Sequence, residues 1–64
     1  MKIYYCVTTV IYDNGRITAN FTGIVESNKK PENTYNCTKT RDIYNDWFET
    51  LEEANEFIEE ARRA

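Results

Sequence analysis

The side chains in this chain that could do chemistry are two thiols, Cys6 and Cys37, and eleven carboxylates; there is no histidine. A thiol nucleophile would need a lysine or a carboxylate as its base, and neither cysteine sits beside a glycine-rich turn or a helix start that would lower its pKa. Their separation fits no CxxC redox or zinc motif, and from the expected intracellular compartment alone reduced, half-buried thiols are expected over a disulfide. Asp42, Asp46, Glu49, Glu52 and Glu53 offer the oxygen ligands that Mg²⁺ or Ca²⁺ prefers, but their spacing matches no calcium loop. A solvated strand end followed by a helix cap explains them as well. The expectation is therefore no enzyme, no metal site and no cofactor.

Binding chemistry is more legible. Residues 1–45 carry six Lys or Arg against four Asp or Glu, whereas residues 46–64 carry two Arg against seven acids. This polarity suggests a carboxylate surface for a basic partner, including mimicry of nucleic-acid phosphates. Tyr44 and Trp47 supply aromatic anchors of the kind that dominate interface energetics. The candidate partner site is Tyr44, Asp46, Trp47, Glu52, Glu56 and Glu60. The competing reading is a weak single-strand nucleic-acid binder, in which Lys29, Lys30, Lys39 and Arg41 place cations beside the stacking ring of Tyr35. A pI near 4.8 disfavours it, because affinity rises with the number of phosphates neutralised.

These residues need a scaffold. "KIYYCVTTVIY" and "RITANFTGIVE" are β-branched and aromatic runs separated by "DNG", which is a hairpin signal. A three-residue loop with Gly15 in the left-handed region sets Tyr12 against Arg16. Ile11, Thr9, Val7, Tyr5 and Ile3 then face Ile17, Ala19, Phe21, Gly23 and Val25, which gathers the apolar residues on one side. The other side would carry Tyr4, Cys6, Val10, Tyr12 and Ile24, a mixed face that a second copy could cover, as could an unpaired edge strand. After the "SNKKPEN" loop, "TYNCTKTRDIY" reads as a third strand, at an edge or bulged where Lys39 and Arg41 break its phase. Thr50 and Glu53 form a capping box, and Leu51, Ala54, Phe57, Ile58 and Ala61 form one apolar helical stripe. The predicted fold is α+β: a three-stranded antiparallel sheet with one C-terminal helix packed on one face, in a single βββα domain over residues 1–64. One of Trp47 and Phe48 should plug the end of the core.

The "IYNDW" step followed by "FETLEEANEFI" resembles the strand-to-helix element of the N-terminal hybrid-binding module of ribonuclease H, which also has a Tyr-rich first strand. The whole chain is similar in style to small proteins of phages and mobile elements. The missing catalytic set, the polarised charge and the half-apolar outer sheet face point to a non-enzymatic interaction module, and with that likeness to an inhibitor that occupies a surface of a larger protein. A homodimer is expected. The N-terminal apolar run is broken by Thr8 and Thr9 and shows no cleavage site, and no apolar stretch approaches about 18 residues, so a cytoplasmic protein with no membrane contact is expected.

Overall fold

The computed structural model describes residues 1–63. Strand β1 spans Lys2–Tyr12, β2 Ile17–Ser27, β3 Thr34–Cys37 and β4 Arg41–Phe48, and helix α1 spans Leu51–Arg63. The strands form one antiparallel sheet in the order β2-β1-β4-β3. The α+β class and the C-terminal helix on the sheet match the sequence reading; the sheet has four strands, not three. The expected third strand is a hairpin, and its phase breaks because Lys39 sits in a turn. That turn contains neither Gly nor Pro. Thr38 closes it instead: its N–H donates to the Arg41 carbonyl at 2.8 Å, its hydroxyl donates to the same carbonyl at 3.2 Å, and its Oγ1 accepts from the Thr40 N–H at 3.4 Å.

The first hairpin forms as its residues dictate. Gly15 has φ 86°, the Gly15 N–H donates to the Tyr12 carbonyl at 2.9 Å, and the Tyr12 N–H donates to the Arg16 carbonyl at 2.8 Å. Ile11, Thr9 and Val7 pair with Ile17, Ala19 and Phe21 as expected. Beyond Phe21 the register corrects the expectation. A bulge at Thr22 shifts β2 by one residue, so Cys6 pairs with Gly23, Tyr5 with Ile24, Tyr4 with Val25 and Ile3 with Glu26. One inserted residue exchanges the faces of everything after it. Ile24 therefore leaves the face of Tyr4 and Cys6 and joins that of Tyr5.

Helix α1 packs on the face that carries Val7. The core is Val7, Ala19, Ala54 and Ile58, flanked by Tyr5, Phe48, Phe57 and Ala61. Phe48 is the ring that plugs the core end, stacking on Phe57 with centroids 5.2 Å apart. The helix lies over β2 and β1, reaches β4 and makes no contact with β3. Thr50 caps it, with Oγ1 accepting from the Glu53 N–H at 3.1 Å; the Glu53 carboxylate accepts from the Thr50 hydroxyl at 3.2 Å, so the reciprocal bond of the expected box goes to the hydroxyl and not to the amide. Leu51, expected in the core, is exposed.

The opposite face is not bare. Tyr4 and Cys6 lie on it yet are only 4% and 6% exposed. The segment 28–33 must cross from the β2 edge to β3 at the other edge, and it passes the end of the sheet where these residues lie. Pro31 in it is half-buried, and the Asn33 carboxamide oxygen accepts from the Trp47 N–H at 2.9 Å. Above this crossing a row of hydrogen bonds spans all four strands: Thr8 Oγ1 donates to Asn45 Oδ1 at 2.6 Å, and Asn45 Nδ2 donates to Thr34 Oγ1 at 3.1 Å. Thr8 has one hydroxyl proton and uses it on Asn45, so at the 2.8 Å contact between Thr8 and Thr22 the donor is Thr22. The bulge that moves Ile24 thus also anchors β2 to this row.

Candidate interaction surfaces

Period-two alternation sorts the ionisable strand residues. Val7 marks the helix side, and it pairs with Asp46; Asp42, Tyr44, Asp46 and Phe48 of β4 therefore share that side. Glu26, opposite Ile3, projects there too. Lys2 and Arg41 project to the other side, where Arg41 and Arg16 flank Tyr12 across adjacent strands. Among the described strand residues, every carboxylate points to the helix side and every Lys or Arg to the other. Helix α1 deepens this polarity, because Ala54 and Ile58 point inward and Glu52, Glu56, Glu59 and Glu60 lie exposed on its outer surface.

The β4 and β3 half of the helix side lies beyond the helix. Tyr35 pairs with Tyr44 there, with ring centroids 4.8 Å apart, and Tyr35 is 54% exposed. The Tyr35 hydroxyl donates to Asp42 Oδ1 at 3.0 Å. The neighbouring Cys37 thiol and then the Asp42 carboxylate hold the Tyr35 phenol well above its ordinary pKa, because both favour the protonated oxygen. The Tyr35 hydroxyl thus stays protonated as the donor to Asp42. Phe57 faces β4, and Glu53 and Glu60, four residues before it and three after it, share its flank.

The candidate residues are divided by this geometry. Tyr44, Asp46 and Glu60 are brought to one side, with Glu52 and Glu56 on the outer surface of the helix above them. Trp47 is not: three residues from Tyr44 along a strand, it pairs with Cys6 and projects to the opposite face. The five residues read as one self-association face are also split, since Tyr4 and Cys6 are buried, Val10 and Tyr12 half-buried, and Ile24 on the helix side. Of the basic set, Arg41 lies on the open face, Lys39 in the β3 to β4 turn, and Lys29 and Lys30 in the crossing segment, all exposed, while Tyr35 points away from Arg41. Tyr35 and Asp42 were missed as members of the acidic site, and Tyr12 and Arg16 as neighbours of Arg41. The signal that could have found them was the parity of β4, hidden while "TYNCTKTRDIY" read as one strand.

The two cysteines are free, Cys6 buried and Cys37 exposed. They project from opposite faces, which excludes a bond between them within one chain. Among the described residues there is no group of three potential metal ligands, and no helix is long and apolar enough to cross a membrane. Neither a protein-family model, nor a curated protein, nor a solved structure matches this chain.

Proposed function

We propose that the chain is a non-enzymatic protein-interaction module that presents its helix side to a basic segment of a larger protein. The observation that supports this reading is the sorting of strand charges. Asp42 and Asp46 flank the tilted ring pair of Tyr35 and Tyr44 on a surface where no described strand residue contributes a cation, so a Lys or Arg side chain meets carboxylates and ring faces together. An inhibitor that occupies a phosphate-binding surface fits the same chemistry. Titration of an arginine-rich peptide followed by amide and side-chain NMR tests it. Shifts should centre on Tyr35, Asp42, Tyr44 and Asp46. Exposed pairs contribute about 0–1 kcal/mol each, so Asp42→Asn with Asp46→Asn should weaken binding by up to about 30-fold. Peptide binding that ignores both substitutions counts against the reading.

A second reading is favoured by one observation. Arg16, Tyr12 and Arg41 form a cation, ring, cation row on the open face, which carries no strand carboxylate. A single-stranded oligonucleotide that shifts Tyr12 and Arg41, and leaves Tyr35 and Tyr44 unmoved, would transfer the function to that face.

A further inference from the structure

Apart from Tyr35 on β3, the large apolar side chains left exposed are not scattered. Ile3, Phe21, Ile24 and Leu51 are between 42% and 62% exposed, and Met1 more so. Ile3, Phe21 and Ile24 all project to the helix side, Ile3 and Ile24 beside Tyr5, whose ring lies 6.2 Å from that of Phe21. Leu51 opens the helix that covers this part of the sheet, and it precedes Asn55, Ile58 and Arg62 along the helix flank turned to β2, where Arg62 donates to the Ala19 carbonyl at 3.4 Å. The apolar patch therefore borders the outer edge of β2, which pairs with no described strand.

Apart from the bulge at Thr22, that edge lacks the usual protection. Natural edge strands are kept short, are bulged, or carry Lys, Pro or an inward charge. The opposite edge, β3, has four residues, but β2 has eleven, and from Ile17 to Val25 it contains neither a charge nor a proline. At about 3.3 Å per residue it runs for roughly 36 Å, nearly the 40 Å length of the molecule. At about 10 Å deep, a strip of that length supplies roughly half of the 800 Å² per partner of a standard interface, and the exposed Phe21, Ile24 and Leu51 side chains beside it add to that area.

We infer that β2 pairs antiparallel with β2 of a second copy, giving a two-fold dimer with one eight-stranded sheet. A two-fold axis through such a pair stands perpendicular to the sheet, so both helices lie on the same side and each paired residue must share the face of its opposite number. The bulge restricts the register that satisfies this. Helix-side residues are odd before Thr22 and even after it, so in any pairing that runs along both halves of the strand an odd residue must meet an even one. With the axis between Thr22 and Gly23, the faces agree over 18–27. Phe21 then lies opposite the partner's Ile24, Asn20 opposite the partner's Val25, and Thr18 opposite the partner's Ser27. The apolar pairs meet at the centre, and the two Leu51 flanks approach above them. The bulge, in an isolated chain an interruption of the edge, becomes the centre of symmetry.

Sedimentation equilibrium over a wide concentration range tests the association, with twice the 7.6 kDa chain mass expected. Ile24→Lys alters a side chain that is exposed in the single chain, so it should yield a monomer with an unchanged circular dichroism spectrum. For the register, a Cys37→Ser chain carrying Asn20→Cys and Val25→Cys should close into a disulfide-linked dimer under mild oxidation. The wild-type chain remaining monomeric at high concentration overturns the proposal, as does a dimer that Ile24→Lys leaves intact. Failure of a demonstrated dimer to form the cross-link overturns the register.

Discussion

Thr9 presents the sharpest energetic test of the fold. It lies on the helix side between Ala19 and Tyr44, is 7% exposed, and its Oγ1 has no hydrogen-bond partner. A buried hydroxyl without a partner forfeits about 1–3 kcal/mol of hydration that nothing returns. Thr9→Val keeps the branched shape and the strand preference and replaces the hydroxyl with a methyl, adding about 0.8 kcal/mol of apolar burial. Part of this gain is offset by burial already present in the unfolded chain. A net stabilisation of about 1–2 kcal/mol follows, and for a domain this small each kcal/mol moves the midpoint by about 4–8 °C. Thermal and urea unfolding followed by circular dichroism, with both proteins at one fixed concentration so that association contributes equally to each, measures it. Thr9→Ser is the control: it keeps the hydroxyl, loses the methyl, and should cost about 1 kcal/mol. A Thr9→Val protein less stable than wild type would show instead that the hydroxyl is bonded in the folded state.

Thr50→Ala removes the acceptor for the Glu53 N–H and should cost about 1 kcal/mol of stability in the same unfolding measurements, with an unchanged midpoint speaking against the cap. The thiols should separate cleanly under alkylation read by mass spectrometry: Cys37 reacts in the native protein and Cys6 only as the chain unfolds, whereas equal rates would contradict their placement.

Local signals were legible where a residue type has one conformational job. Gly15 fixed the hairpin loop, Thr50 the helix start, and the spacing of Ala54, Phe57 and Ile58 the buried stripe. What stayed hidden depended on features whose residue-level markers were incomplete. The Thr22 bulge is marked only by the neighbouring Gly23, which signals an irregular strand without saying which residue is inserted, and the Thr38 turn uses a hydroxyl where Gly or Pro usually announces a reversal. Each omission reversed a parity. Missing the bulge left Ile24 with Tyr4, and missing the turn left Tyr35 with Arg41. Burial of Tyr4 and Cys6 was hidden for another reason, since the half-buried Trp47 beside Cys6 and the segment that crosses that end of the sheet are placed there only by strand order. Trp47 was misplaced by reading proximity in sequence as proximity on a surface: from Tyr44 it is an odd number of strand residues away, and so on the other side.

Charge sorting and the uncharged edge bear on each other. In a sheet extended across β2, the perpendicular axis keeps both helices, and so both carboxylate surfaces, on one side. The two Tyr35 and Tyr44 pairs then stand toward the far ends of one eight-stranded platform, because β3 is the strand most distant from β2. A partner with two basic segments would engage both, and its second contact would form at the effective concentration set by the first. Weak exposed ion pairs on each copy would then suffice for firm attachment. The two proposals nevertheless stand on separate residues. Ile24 lies at the joint and Asp42 and Asp46 lie beyond the helix, so Ile24→Lys disrupts pairing while leaving each single acidic site as it was. Loss of avidity without loss of single-site affinity is the behaviour that this arrangement requires.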